Sequence, residues 1–91
     1  MRTEHLDVRI SDSLLSYSRV AVVVGKSGHT IVERNRVRRR LREIVRTRFI
    51  PAVKPVDCVI RALESSYQAS FVQLTSEVEK IARNFRSSEE V

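Results

Sequence analysis

Eight arginines occupy the fifteen positions from residue 34 to residue 48, and their type and spacing point to a specific chemistry. The segment contains one acid, Glu43, so it carries a charge of +7, whereas the nine Lys/Arg and ten Asp/Glu elsewhere sum to −1. A guanidinium grips phosphate oxygens through two parallel hydrogen bonds and stacks on exposed bases. Concentrated positive charge also releases counterions from a polyanion. The segment therefore predicts non-covalent binding of a nucleic acid.

The arginines are costly to the helix that this segment is expected to form. Arg38 with Arg42, and Arg42 with Arg46, are like-charge pairs at four-residue spacing, and each such pair opposes a helix by roughly 0.2 to 0.5 kcal/mol. A sequence selected only for stability would intersperse acids. A solvated surface without a partner is therefore the less favoured interpretation.

Residues that could catalyse a reaction are sparse. His5 and His29 lie on different segments, without cysteines or paired carboxylates at zinc-ligand spacing. Glu77 and Glu79 differ by two positions and point apart on a helix. Cys58 stands in an apolar run, where a small buried hydrophobe is expected. The sequence predicts no catalytic residue and no metal site in the protein, and it predicts His29 to be exposed or in contact with RNA.

Three kinds of polyanion can be compared on chemical grounds. A helix that lies on a membrane has large apolar residues and no protein core to fill, whereas this helix has a core stripe. Readout of DNA bases favours short polar residues at the helix start, and only Asn35 fits. RNA, with irregular phosphate clusters, is the favoured partner.

The chain has 91 residues, which is enough for one domain with one core. No apolar stretch approaches the roughly 20 residues that cross a bilayer, and the amino terminus lacks the apolar core of a signal peptide. We therefore expect a single domain over residues 1–91 and a cytoplasmic location.

The segments around the arginines predict a small sheet. Residues 5 to 10 alternate, which predicts a strand with Leu6, Val8 and Ile10 on one face and His5, Asp7 and Arg9 on the other. Residues 19–24, RVAVVV, are rich in β-branched side chains and predict a central strand. Residues 56–62 predict a third strand.

The arginine helix has a clear start in the sequence. Gly25 and Gly28 mark a loop, and Thr30 with Glu33 forms a capping box just after it. The expected core stripe is Val37, Leu41, Ile44, Val45 and Phe49, and Pro51 and Pro55 are expected to end the helix. One continuous flank carries Asn35, Arg38, Arg39, Arg42 and Arg46, with Arg36 and Arg40 farther round.

A final helix follows a turn at residues 66–69. Ser70 and Gln73 form its capping box, residues 86–91 are expected to be a frayed tail, and its predicted buried stripe is Phe71, Leu74, Val78, Ile81 and Phe85. The order strand, strand, helix, strand, helix predicts an α+β fold, a two-layer sandwich of helices on a small mixed sheet.

The residues from Gly28 to Glu43, GHTIVERNRVRRRLRE, resemble the signature of the protein subunit of bacterial ribonuclease P, in which an Arg-Asn-Arg triplet leads a basic helix. Residues 57–62 resemble the strand that follows in that family, and residues 69–74 with Glu77 resemble the start of its final helix. The resemblance covers about residues 18 to 85.

This resemblance implies a noncatalytic subunit of a ribonucleoprotein endoribonuclease. The protein would bind the large catalytic RNA, which removes the 5′ leader from precursor tRNA with Mg²⁺ held mainly by the RNA, and it would be a monomer in the holoenzyme. The residues expected to face the RNA are Lys26, Arg34, Asn35, Arg36, Arg38, Arg39, Arg40, Arg42 and Arg46.

The resemblance also implies a left-handed crossover through the basic helix and an open cleft on the sheet that holds the single-stranded leader, with Tyr17 as a further leader contact. Family members usually carry an amino-terminal helix, whereas this chain starts almost at the first strand. On charge pattern alone, a structural RNA-binding protein, similar to a ribosomal protein and without a role in tRNA processing, stays open.

Overall fold

A mixed three-stranded sheet forms one layer of the protein. The computed structural model describes residues 1–25 and 28–90, with side chains described as far as residue 86. The strands are β1 (Leu6–Asp12), β2 (Arg19–Val24) and β3 (Val56–Ala62), in the spatial order β1-β3-β2. Strand β3 runs antiparallel to β1 and parallel to β2. The predicted strands and the mixed sheet are confirmed.

Two helices form the other layer. They are α1 (Ile31–Ile44) and α2 (Phe71–Glu90). A π-helical turn (Val45–Phe49) and a 3-10 turn (Ile50–Ala52) continue α1, and a second 3-10 helix (Glu64–Gln68) lies between β3 and α2. Since β2 and β3 are parallel neighbours, the chain between them is a crossover connection, as the family resemblance implies. Its left-handedness stays a prediction.

The central strand is β3, so the prediction that residues 19–24 form the central strand was wrong. On β2, burial alternates, and only Val24 is fully buried. On β3, the alternate residues Val56, Cys58 and Ile60 are buried. Many β-branched residues indicate that a segment forms a half-buried strand. They do not indicate whether that strand lies at the centre or at the edge of the sheet.

The predicted core stripe of the basic helix is confirmed. Val37, Leu41 and Ile44 of α1 and Val45 and Phe49 of the following turn are all buried. The regular α-helix ends at Ile44, earlier than the prolines that were expected to end it, because the chain first widens into the π-helical turn. The widened turn keeps the stripe facing the core as far as Phe49.

The stripe of α2 is confirmed in its middle and wrong at its start. Leu74, Val78 and Ile81 are buried and Phe85 is half-buried, but Phe71 is 46% exposed. Phe71 is the first residue of the helix, and the preceding Ala69 occupies the core at that end.

Helix α2 is also longer than expected. It continues to Glu90, whereas residues 86–91 were predicted to be a frayed tail. This stretch contains no glycine or proline, so nothing in it forces a helix to end.

Both helices begin at the capping boxes that the sequence predicted. Thr30 Oγ1 accepts from the Glu33 amide at 3.1 Å, and the Thr30 amide donates to Glu33 Oε1 at 3.0 Å. Ser70 and Gln73 make the equivalent pair at 3.1 and 2.8 Å. Both capping boxes are confirmed. In the preceding loop, Gly28 has a φ of +75°, a conformation that favours glycine.

His5 corrects the prediction that it lies on the polar face of β1. It precedes the strand and is 6% exposed. Its amide donates to Glu77 Oε1 at 2.9 Å, its Nδ1 hydrogen-bonds the other Glu77 oxygen, and Thr3 also donates to this carboxylate. A buried polar side chain is tolerated when it is paired in this way. Residues 1–5, which carry this connection to α2, form no helix.

Candidate nucleic-acid interface

The arginine flank predicted from the sequence forms one surface. A groove of about 610 Å³ runs along the side of α1 that faces away from the core. We call it the arginine groove, and its lining residues are Asn35, Arg38, Arg39, Arg42, Glu43 and Arg46. The buried stripe fixes the orientation of α1, and this orientation turns the arginine flank toward solvent.

Hydrogen bonds within α1 orient part of the arginine groove. Arg38 Nη1 donates to Asn35 Oδ1 at 2.8 Å. Arg46 binds Glu43 through Nη2 at 2.7 Å and through Nε at 3.3 Å. These bonds from Arg46 hold the pKa of Glu43 below its ordinary value, so Glu43 remains a carboxylate among the guanidinium groups. Asn35 thus supports an arginine, and Glu43 partly neutralises one.

The remaining arginines predicted to face RNA differ in exposure. Arg39, Arg42 and Arg36 are exposed, whereas Arg34 and Arg40 are half-buried. The Nε atom of Arg34 is buried and has no hydrogen-bond partner among the described residues. Contact between RNA and any of these side chains stays a prediction. Lys26, the other predicted contact, lies outside the described residues.

A second surface lies on the sheet. Asp7, Arg9, Val59 and Arg61 line a groove of about 360 Å³. The register places Arg9 opposite Val59 and Asp7 opposite Arg61, so the four side chains meet on one face. Alternation in β1 indicated the polar side of that strand, but sequence reasoning did not identify Arg61, because its neighbours depend on the sheet order. Tyr17, the predicted leader contact, is 59% exposed in the loop before β2.

His29 lies at the start of α1, and its surroundings include a residue that sequence reasoning missed. The His29 side chain is only 15% exposed, so the first of its two predicted roles, an exposed histidine, was wrong, while contact with RNA stays a prediction. The His29 ring stacks on Tyr67. The hydrogen bond with Glu64 is the largest cause that raises the pKa of His29, and Glu33 also raises it, whereas desolvation lowers it. Tyr67 carried no signal in the sequence because it lies on a separate segment, the 3-10 helix.

The remaining chemistry-bearing side chains offer little for catalysis. Cys58 is buried as predicted, and burial raises the pKa of its thiol to about 11. Within residues 1–25 and 28–90, no group of three or more His, Cys, Asp and Glu is arranged to hold a metal ion. No helix in this part of the chain has the length and apolar character needed to span a membrane.

Comparison with known proteins identifies the family of this chain. The model of the family described as Ribonuclease P matches residues 1–86. The chain belongs to the ribonuclease P protein family. The match extends beyond residues 18–85, which carried the sequence resemblance. It also includes β1 and residues 1–5, which contact α2 through Glu77.

Relatives within the ribonuclease P family support this membership. The chain is 44% identical over 66 residues to the ribonuclease P protein component of Mycobacterium avium, covering 71% of this chain and 55% of the relative. It is 46% identical over 61 residues to that of Acidothermus cellulolyticus, covering 65% and 49%. The chain thus spans about half the length of these curated relatives.

Solved ribonuclease P proteins share the fold. The protein from Thermotoga maritima is similar with a TM-score of 0.80 at 21% identity, over 92% of this chain and 80% of that one. The protein from Staphylococcus aureus is similar with a TM-score of 0.74 at 19% identity, over 90% and 78%. The α+β architecture is therefore that of solved ribonuclease P proteins.

Proposed function

We propose that this protein binds the catalytic RNA of ribonuclease P and assists the removal of the 5′ leader from precursor tRNA. Family membership supports this function, and the arginine groove is the observation that carries it. The groove joins several guanidinium groups on one exposed helix flank, which suits recognition of phosphates by charge and shape. In this proposal the protein is a monomer within a cytoplasmic ribonucleoprotein.

The bond-breaking step belongs to the RNA in this proposal. Mg²⁺ would activate a water and stabilise the developing charge at the phosphate. The described side chains do not fit a magnesium site, because their carboxylates are not clustered. The RNA is therefore the proposed holder of the metal, and the protein contributes binding and positioning.

Arg38, Arg39 and Arg42 have direct access to RNA phosphates from the arginine groove. The Arg38 side chain is oriented by Asn35, whereas no described residue accepts a hydrogen bond from the side chain of Arg39 or Arg42. Arg46 shares its guanidinium with Glu43, so it offers less net charge to a phosphate. Each phosphate neutralised adds about 0.7 to 0.9 to the slope of log affinity against log salt.

The sheet groove is the proposed site for the leader. Arg9 and Arg61 can contact the leader backbone, while Val59, 44% exposed, offers apolar area to a base. Tyr17 adds an exposed ring on which a base can stack. Such contacts suit a single strand, whose bases are free to turn toward the protein.

Reconstitution tests this function. Mixing the protein with a bacterial ribonuclease P RNA and precursor tRNA at low Mg²⁺ should increase the cleavage rate, and a substrate without a leader extension should bind more weakly. RNA binding with no effect on cleavage at any salt concentration would instead support a structural RNA-binding protein. Cleavage by the protein alone would contradict the assignment of catalysis to RNA.

A further inference from the structure

A cluster of side chains connects Gly25 and His29 to the 3-10 helix Glu64–Gln68. The rings of His29 and Tyr67 are parallel, with centroids 3.4 Å apart and planes 4° apart. His29 Nε2 lies 2.6 Å from Glu64 Oε1, and Nδ1 lies 3.4 Å from Glu33 Oε2. The Tyr67 hydroxyl donates to the Gly25 carbonyl at 3.0 Å. We call His29, Tyr67, Glu64, Glu33 and Gly25 the His29 cluster.

The His29 cluster joins Gly25 just after β2, the start of α1 with His29 and Glu33, and the 3-10 helix Glu64–Gln68. Glu33 has two roles, since Oε1 accepts the Thr30 amide of the helix cap while Oε2 faces His29. The residue after Glu33 is Arg34, the first of the Arg-Asn-Arg triplet. Any change in this cluster therefore acts directly on the turn that presents the triplet.

We propose that His29 is a positioning residue for RNA binding. By stacking on Tyr67 and bridging Glu64 and Glu33, it holds the first turn of α1 against the 3-10 helix, so that the arginines after it meet the RNA in one orientation. This inference rests on the proposed function. The preorganised helix start avoids a cost of ordering on binding.

The bridge depends on a proton. Both ring nitrogens of His29 face carboxylate oxygens, and only the imidazolium can donate from both. After deprotonation, one nitrogen presents a lone pair to a carboxylate, and the cluster loses its one positive charge beside the proposed RNA site. RNA affinity should therefore fall as pH rises through the pKa of His29, by at most a factor of about 10 per pH unit, the limit for one proton.

The two carboxylates that face His29 both raise its pKa. Glu64, from the 3-10 helix, is the largest cause of the raised pKa of His29, and Glu33 of α1 adds to it, while desolvation opposes both. Arg34 and Arg38 of α1 act on the Tyr67 hydroxyl, whose pKa is raised mainly by burial. The ordinary histidine pKa is 6.5, so the change in affinity should centre above that value.

RNA affinity measured from pH 6 to 8.5 at constant ionic strength tests the proposal. The wild-type protein should lose affinity for ribonuclease P RNA across this range. His29→Gln should bind several-fold more weakly at pH 6 and show a flat profile. Glu64→Gln, a change at a side chain that is 77% exposed, should keep the fold and move the midpoint to lower pH. Tyr67→Phe keeps the stack and should retain the pH dependence.

Three outcomes would overturn this role. One is a His29→Gln variant with wild-type affinity and pH profile. Another is a variant whose affinity and melting temperature fall together while the pH profile persists, because this result marks a merely structural residue. In both cases the proposed function stands. If the wild-type protein binds no RNA at any pH, the positioning role and the proposed function fail together.

Discussion

Arg38 and Arg42 lie one helical turn apart in the arginine groove, and both are predicted to contact RNA phosphates. Replacing both with alanine should weaken RNA binding and reduce the salt slope by roughly one unit per lost contact. Filter binding or fluorescence anisotropy over a salt series measures both quantities. Arg83→Ala with Arg86→Ala on α2 is the matched control, since these arginines are exposed but lie outside the groove. An unchanged slope in the first variant would mean that the groove does not contact phosphate.

Glu43 is the only acid among the arginines of residues 34–48, and it binds Arg46. Glu43→Gln should increase RNA affinity and steepen its salt dependence, because the carboxylate repels phosphates and occupies a guanidinium. The same anisotropy series measures this effect, with Glu79→Gln on α2 as the control. Weaker binding would indicate that the carboxylate accepts a hydrogen bond from RNA, for example from a 2′-hydroxyl.

The capping box at Thr30 determines where the basic helix begins. Thr30→Ala removes the hydroxyl that accepts from the Glu33 amide and should lower the free energy of unfolding by about 1 kcal/mol. Urea denaturation measures this change. Thr30→Ser retains the hydroxyl and should be close to wild type, so an equal loss in both variants would show that the hydrogen bond is not the cause.

The apolar stripe of α1 keeps the arginine flank turned outward. Leu41 is fully buried, so Leu41→Ala should lower the free energy of unfolding by about 2 to 5 kcal/mol. Val32→Ala, on the same helix, is a control because Val32 is 68% exposed and should change stability little. Comparable losses in the two variants would contradict the orientation of α1.

The attachment of residues 1–5 to α2 through Glu77 should make the stability of the whole molecule depend on pH. Partial burial opposes ionisation of Glu77, but the hydrogen bonds from Thr3 and His5 outweigh it and lower the pKa of this carboxyl below its ordinary value of 4.5. The resulting stabilisation is present above 4.5 and is lost as pH falls through the lower folded value. Unfolding free energies between pH 3 and 6 should therefore fall more steeply for wild type than for Glu77→Gln. Parallel curves would remove Glu77 as the cause.

The local elements were predictable because their signals lie within a few residues. A capping box requires two suitable side chains three positions apart. A buried stripe on a helix requires only apolar residues that recur at the helical period. Thr30 with Glu33, and Val37 through Phe49, met these conditions. The edge position of β2 could not be predicted in this way, because the order of strands depends on pairing between segments far apart in sequence.

The sequence by itself determined the basic helix, its capped start, the outward arginine flank and the family resemblance. These features depend on residue type and on spacing along one helix. Only the tertiary structure decided that β3 is central, that Arg9 and Arg61 share a groove, and that His29 stacks on Tyr67. Each of these features depends on contacts between residues more than 35 positions apart in the sequence, and the order of the strands depends on such contacts too. Such contacts are fixed when the two layers pack, because burial of the shared core selects one register and one arrangement.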